Sequence, residues 1–310
     1  MFRFCAFVSM ILLTTFWSSC QSNKVDEIPI VDCHVHLWDT RRPEGISWPR
    51  PEHIKIYRPY LPEHISPIAK KNNVKGIVAM QSGQTTADNQ WNLDIIESDP
   101  LFKGVIGNLS KVIATDEFKP LFQKLCENKK YLGYRLSGKY KDGISDELIR
   151  DLQLTAAKGK AIDFLVGGYS FKDIAVIAKK VPSLPIMLDH FGGVNLNGKA
   201  LNPDWVKEFK EMGKYPNIYC KVSAMYGRFK EQPAPQDIES YKEILDLAYA
   251  TFGEDRLIYS SDWPVTERTD DYTSVVELTK SYFVTKGKSV ARKVFFENAK
   301  RFYKIPNLDK

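Results

Sequence analysis

The sequence lacks the features that several protein classes require. It has no low-complexity tract and 43% of its 310 residues are hydrophobic, which excludes a disordered chain and allows a large buried core. Lys and Arg number 44 against 38 Asp and Glu, and the basic residues are scattered without forming a cluster. This distribution gives no indication of nucleic-acid binding, although a mild preference for acidic ligands is compatible with it.

The sequence also lacks a convincing membrane-spanning helix. The apolar stretch from Phe7 to Trp17 is too short and too early to span a bilayer. It follows Arg3 and ends in Ser18-Ser19-Cys20, the arrangement of a secretory signal. The small residues before Cys20 resemble the lipobox of bacterial lipoproteins. That resemblance implies cleavage before Cys20, lipidation of its thiol, a polar tether over residues 21–27 and a periplasm-facing membrane location. A plain export signal with an ordinary thiol at Cys20 is the alternative.

No two of the five cysteines form a Cys-x-x-Cys pair. Cys5 would leave with the signal and Cys20 would carry lipid, so Cys33, Cys126 and Cys220 would remain in the mature chain. An odd number in apolar, strand-like or helix-like stretches favours buried free thiols over disulfides.

Eight short apolar runs alternate with segments of helical periodicity after the tether. The runs are Ile28–Trp38, Val74–Ser82, Phe102–Ser110, Tyr131–Gly138, Ala161–Gly167, Leu184–Phe191, Asn217–Met225 and Arg256–Pro264. Eight strand and helix alternations predict a single (β/α)8 TIM barrel of the α/β class over residues 28–310, after a signal peptide at 1–19 and a lipidated tether at 20–27. An open, doubly wound sheet is the alternative, but the first strand lacks the glycine-rich turn of dinucleotide-binding domains.

The first run ends in His34-Val35-His36. Because side chains alternate along a strand, His34 and His36 are expected on one face, with Asp32 below them and Cys33 pointing away from the site. Two imidazoles that converge at the carboxyl end of a barrel strand indicate a functional site rather than a pair of core histidines.

Polar residues also stand at the ends of the other predicted strands, where barrel enzymes place their reactive groups. These residues are Gln81, Asn108, Arg135, His190, Lys221, Ser223 and Asp262. We expect Arg135 and Lys221 to bind a carboxylate or polyol, unless they form structural ion pairs. The aromatic residues Trp38, Trp91, Tyr226 and Trp263 are predicted to wall the pocket and stack on a sugar. His53 is interpreted as a surface or loop residue.

Three segments resemble signature regions of the amidohydrolase superfamily, in the amidohydrolase-related (amidohydrolase 2) branch that contains sugar and dicarboxylate lactonases. They are Asp32-Cys33-His34-Val35-His36, Leu188-Asp189-His190-Phe191-Gly192 and Ser261-Asp262-Trp263-Pro264. The resemblance spans residues 28 to about 303 and implies a hydrolase. The superfamily's usual histidine after the fifth strand is missing, because Phe164-Leu165-Val166-Gly167-Gly168 stands there.

The expected function is hydrolysis of a carbohydrate-derived lactone, with Asp262 as the general base and His34, His36 and His190 stabilising the oxyanion. Metal-free chemistry is preferred, because glycine stands where the family's imidazole is expected. One Zn²⁺ or other divalent cation on His34, His36, His190 and Asp262 is the alternative. Two further readings are a metal-dependent decarboxylase of the same superfamily and a non-catalytic, surface-tethered sugar-binding lipoprotein.

Overall fold

A computed structural model describes the protein over residues 28–83, 85–137, 143–165, 169–305 and 308. The predicted signal peptide, Cys20 and the tether lie outside the described residues. Within the described part of the chain, no helix is long and apolar enough to cross a membrane.

The strands form one eight-stranded parallel sheet in which each strand pairs with the next along the chain. They are β1 (Ile30–Leu37), β2 (Val74–Gln81), β3 (Phe102–Asn108), β4 (Tyr131–Leu136), β5 (Ala161–Phe164), β6 (Ile186–Leu188), β7 (Ile218–Val222) and β8 (Leu257–Tyr259). A parallel bridge between Val35 and Trp263, with a 2.7 Å hydrogen bond from the His36 backbone N–H to the Trp263 carbonyl, joins the two edges. The predicted (β/α)8 barrel is confirmed, and each predicted apolar run contains one strand.

Helices follow the strands and pack their apolar faces on the sheet. They are α1 (Pro62–Lys71), α2 (Ala87–Ile95), α3 (Phe118–Cys126), α4 (Asp146–Ala157), α5 (Phe171–Lys180), the kinked turn α6 (His190–Gly193), α7 (Pro203–Met212), α8 (Glu239–Phe252), α9 (Tyr272–Thr285), α10 (Lys288–Arg292) and α11 (Asn298–Phe302). In α4, Leu148 and Leu152 are buried one turn apart, and the Ser145 side chain accepts a hydrogen bond from the Leu148 N–H. Amphipathic spacing and an N-cap together fix this helix.

A bulge in β1 changes which way its side chains point. Asp32 pairs with Ile77 and Val35 pairs with Ala79, so three residues of β1 advance against two of β2. Cys33 therefore packs in the buried cluster that holds the inward-facing Met80, whereas Asp32 points outward to the Tyr272 hydroxyl of α9. The prediction of strict alternation was wrong for both residues, because a bulge reverses the alternation of a strand. Free thiols are confirmed for the three described cysteines.

The C-terminal segment closes one end of the barrel. Phe296, Phe302 and Tyr303 join the cluster formed by the inward-facing side chains of the strands. This packing leaves the opposite end, at the carboxyl termini of the strands, as the open mouth.

Candidate active site

Backbone geometry marks the ends of three neighbouring strands as unusual. His190, Ala224 and Asp262 follow β6, β7 and β8, and their φ angles are 53°, 53° and 60°. Residues other than glycine avoid this left-handed region, which costs on the order of 1–3 kcal/mol for each residue. Strain of this kind concentrates at functional sites, and here it lies beside the predicted histidine pair.

The two histidines of β1 meet edge to edge. Their Nε2 atoms are 3.1 Å apart, and His36 Nδ1 lies 2.8 Å from the Met80 carbonyl oxygen. A carbonyl oxygen only accepts hydrogen bonds, so His36 Nδ1 carries the proton and its Nε2 presents a lone pair. Burial, reinforced by the charge of Arg135, lowers the pKa of His36 to about 3, so this ring is neutral.

His190 completes the imidazole cluster. Its ring centroid lies 4.5 Å from that of His34, and its Nδ1 lies 2.7 Å from the Ser223 hydroxyl oxygen. When Ser223 donates to Nδ1, the Nε2–H of His190 is free to act as a donor. Burial lowers the pKa of His190, and the neighbouring His34 adds to the shift.

Asp262 stands over the histidine pair. Its Oδ1 is 3.6 Å from His36 Nε2 and 3.7 Å from His34 Nε2. Burial and the negative charge of Asp189 raise the pKa of Asp262 to about 8. The carboxyl group is therefore largely protonated at neutral pH in the ligand-free protein.

Lys221 lies beneath the histidines in a fully buried charge cluster. Its Nζ is 2.5 Å from Asp163 Oδ2, 3.0 Å from Asp189 Oδ1 and 3.3 Å from His34 Nδ1. Burial lowers the pKa of Lys221, but the two carboxylates outweigh burial and the net shift is upward. Of the two alternatives for Lys221, the structure shows the structural ion pair and not a substrate contact, because the barrel interior encloses the ammonium group and three protein atoms hold it.

A cavity of about 590 Å³ opens above this cluster. Of the predicted strand-end residues, His36, Asn108, Arg135, His190 and Asp262 line it, and His34 lies buried directly below. Arg135 Nη2 donates to the Gln81 carbonyl at 2.9 Å, and Arg135 Nε has no hydrogen-bond partner among the described residues. The structure therefore brings together all three predicted histidines, the acid and one of the two predicted cations.

Five predicted pocket residues do not line the cavity: Gln81, Trp38, Trp91, Tyr226 and Trp263. Their polar atoms or rings are held by neighbouring loops: Gln81 Nε2 by the Thr85 carbonyl (3.0 Å), Trp38 Nε1 by the Arg58 carbonyl (2.8 Å), Trp263 Nε1 by Glu267 (2.8 Å), Tyr226 OH by Ser274 (3.2 Å) and the Trp91 ring by Arg42 (4.6 Å). The structure therefore does not place these side chains against the cavity, and among their polar atoms Gln81 Oε1 has no hydrogen-bond partner within the described residues.

Other residues form the wall instead. Trp48, Arg50 and His53 come from the long loop between β1 and α1, and Arg228 comes from the loop after β7. His53 is a loop residue, as one of the two interpretations had it, but it also lines the cavity, and its Nδ1 accepts a hydrogen bond from the Arg50 N–H at 3.0 Å. Loop residues carry no strand-end signal, so the sequence offered only the crowding of aromatic residues in this loop as a pointer.

The donor set fits one divalent cation. One ligand atom from each of His34, His190 and Asp262 lies within 4.8 Å of the other two, and all three residues are buried. Two imidazoles and a carboxylate are ligands that Zn²⁺ accepts in catalytic sites with an open position. The geometry thus favours the alternative expectation, a divalent cation, over the preferred metal-free site.

Comparison with known proteins identifies the family of this chain. Residues 143–305 match the sequence profile of the amidohydrolase family. The chain belongs to the amidohydrolase family. This confirms the predicted family and the hydrolase class that it implies.

Relatives and solved structures extend the match to nearly the whole barrel. An L-fucono-1,5-lactonase of Burkholderia ambifaria is 26% identical over 286 residues, which cover 89% of this chain and 95% of that protein. An amidohydrolase from Burkholderia multivorans, solved with bound HEPES, superposes with a TM-score of 0.80 at 19% identity over 90% of this chain and 100% of that one. A second crystal form of that target, with bound zinc, gives 0.78 at 20% identity, with the same shares of both chains.

Proposed function

We propose that this amidohydrolase hydrolyses a carbohydrate-derived lactone of the aldonolactone type. The observation that carries the proposal is the position of Asp262, a carboxyl group in the cavity wall beside the imidazoles of His34 and His36. Its pKa of about 8 gives a base strong enough to take a proton from water. The lactonase name of the Burkholderia ambifaria relative supports the same reaction.

Asp262 acts first as general base and then as general acid. Its ionised carboxylate takes a proton from a water molecule, and the resulting hydroxide attacks the lactone carbonyl carbon. When the tetrahedral intermediate collapses, the bond to the ring oxygen breaks and Asp262 returns the proton to that oxygen. The immediate product is an open hydroxy acid, whose carboxylic acid then ionises and releases its proton to solvent.

The cavity provides hydrogen-bond donors and positive charge for the oxyanion of the tetrahedral intermediate. Arg135 lines the cavity with an unpartnered Nε, and the His190 Nε2–H is a donor when Ser223 holds Nδ1. Both suit the oxyanion, because fixed donors in a dry site cost no reorganisation. His36 is less suited to that expected role, since its neutral ring presents a lone pair at Nε2.

A divalent cation held by His34, His190 and Asp262 would supply Lewis-acid polarisation of the lactone carbonyl, and His190 would then act as a ligand instead of an oxyanion donor. The protein's own groups orient the lactone ring. Arg50 and Arg228 add positive charge to the cavity wall and suit the hydroxyls or carboxylate of a sugar acid.

A proton-release assay tests the proposal. The full-length protein would be mixed with aldono-1,5-lactones, the corresponding 1,4-lactones and a simple non-sugar lactone, with chelator or with added Zn²⁺. We expect turnover of at least one aldonolactone above the rate of spontaneous opening. Absence of turnover for every sugar lactone, under both metal conditions, would contradict the proposal, and release of CO₂ from a cyclic carboxylic acid would favour the decarboxylase alternative.

A further inference from the structure

The ring of His34 is held between a cation and an anion. Its Nδ1 lies 3.3 Å from Lys221 Nζ and 3.4 Å from Asp189 Oδ1, and all three side chains are fully buried. The first neighbour can only donate a hydrogen bond and the second, when ionised, can only accept one. Because the two distances are nearly equal, either neighbour can engage Nδ1.

The lysine contact defines a continuous chain of donors. Lys221 donates to His34 Nδ1, which leaves the proton of His34 on Nε2. His34 Nε2–H donates across 3.1 Å to His36 Nε2, and His36 Nδ1–H donates across 2.8 Å to the Met80 carbonyl. Every ring nitrogen in this arrangement has a partner of the right kind. His34 then has no lone pair facing the cavity and cannot ligate a cation there.

The aspartate contact defines the opposite state. If the proton of His34 sits on Nδ1 and donates to Asp189 Oδ1, then Nε2 presents a lone pair toward His190 and Asp262. Asp189 has the capacity to accept it, since neither of its oxygens receives an aligned hydrogen bond from the described residues, although Lys221 Nζ is 3.0 Å from Oδ1. The 2.5 Å contact between Lys221 and Asp163 does not involve His34, so neither tautomer requires it to break.

We propose that Lys221 and Asp189 are positioning residues that set the tautomer of His34, and that this choice controls the affinity of the site for a divalent cation. Lys221 holds the hydrogen-bond-donor tautomer, and Asp189 holds the metal-ligand tautomer. His34 stays neutral in both, so its proton changes nitrogen without a change in charge. This inference rests on the proposed function in one respect: it concerns the same pocket. Its measurements use zinc and NMR and need no lactone.

Zinc titration of the full-length protein and three variants tests the proposal. Lys221→Met removes the donor that competes for His34 Nδ1, so zinc should bind roughly tenfold more tightly. Substitution of residues that orient metal ligands changes metal affinity by about 10–100-fold, and this expectation takes the lower value. Asp189→Asn offers an amide N–H to His34 Nδ1, so zinc should bind at least about tenfold more weakly. Asp163→Asn is the matched control. Like Asp189→Asn, it neutralises a carboxylate that contacts Lys221, but Asp163 does not contact His34, so the zinc affinity of this variant should stay close to wild type.

Nitrogen-15 NMR of the histidine rings gives a direct readout. We expect His34 protonated on Nε2 in the metal-free wild type and on Nδ1 after zinc addition. The proposal is wrong if the metal-free ring carries its proton on Nδ1, if Lys221→Met and Asp189→Asn change zinc affinity in the same direction, or if Asp163→Asn weakens zinc as much as Asp189→Asn. If Lys221→Met fails to fold, the wild-type spectra and the two asparagine variants still decide the matter. Failure of the lactone screen would leave all these readouts intact.

Discussion

The carboxylate of Asp32 accepts a hydrogen bond from the backbone N–H of Ser261 at 2.9 Å, which joins β1 to the segment after β8. The same carboxylate accepts from the Tyr272 hydroxyl at 3.0 Å and from the His34 N–H at 3.3 Å. Strand β1, the segment after β8 and helix α9 thus meet on one buried acid. This acid lies where the barrel closes between β1 and β8, and in the described sheet a single bridge joins these two edges instead of a regular ladder.

Replacement of Asp32 should lower the free energy of unfolding by weakening the closure of the barrel between β1 and β8. Asp32→Ala leaves the buried N–H groups of Ser261 and His34 without their acceptor, and an unsatisfied buried group costs about 1–3 kcal/mol. We expect a loss of unfolding free energy of that order by urea denaturation. Tyr272→Phe, which removes one donor and leaves the acid in place, should cost less. An Asp32→Ala protein as stable as wild type would contradict this account of closure.

Loss of the proposed base should affect turnover more than binding. Asp262→Asn retains the size and most of the hydrogen-bonding capacity of the side chain but cannot accept a proton from water. General-base catalysis contributes about 10²–10⁴-fold, so kcat should fall by that factor with little change in KM. The exposed Asp204→Asn on α7 is the control and should leave kcat unchanged. Near-normal kcat in Asp262→Asn would rule out Asp262 as the base.

The pH dependence of hydrolysis should report the same group. Asp262 must be ionised to act, and burial holds its pKa at about 8. We therefore expect kcat/KM of the chelator-treated protein to rise with pH and to level off above about pH 8, since kcat/KM reports the free enzyme. Initial rates would be corrected for spontaneous lactone opening measured with Asp262→Asn. A profile that is flat between about pH 6 and pH 9 would exclude this assignment.

The same carboxyl group should make stability fall with pH. Its folded pKa of about 8 lies above the unfolded value of about 4, so protonated Asp262 contributes stability below pH 4 that is lost as pH rises toward 8. Asp262→Asn stays neutral, and its unfolding free energy should exceed that of the wild type by a margin that grows by up to about 1.4 kcal/mol for each pH unit in this window. Urea denaturation of both proteins at about pH 5 and about pH 8 measures the difference. A constant difference would show that the folded pKa is not raised.

The membrane anchor remains a prediction from the sequence. We propose that the mature protein is exported and held at a periplasm-facing membrane surface by lipid on Cys20. Because one acyl chain binds membranes only marginally and lipoproteins carry several, wild-type protein should fractionate with membranes and Cys20→Ser should not. Mass spectrometry of the amino terminus provides the check: an unlipidated protein that begins elsewhere than Cys20 would reject the anchor.

The sequence by itself determined the barrel and the chemical identity of the site. The apolar runs predict the eight strands because a parallel sheet is buried on both faces and its strands must be apolar. The ends of these strands place His34, His190 and Asp262 at the same mouth of the barrel, independently of the loop conformations. The family resemblance rested on these same positions. That part of the site could be read from local pattern, because strand ends are local features.

Only the tertiary structure decided which polar groups face substrate and which face one another. Lys221 looked like a ligand for substrate, but Asp163 and Asp189 surround it inside the barrel. Arg50 and Arg228 carried no local signal, yet two distant loops bring them to the cavity. The bulge in β1 overrode the alternation that assigned Asp32 and Cys33 to their faces. Each of these outcomes depends on the distance between residues far apart in the chain, and local periodicity carries no information about such distances.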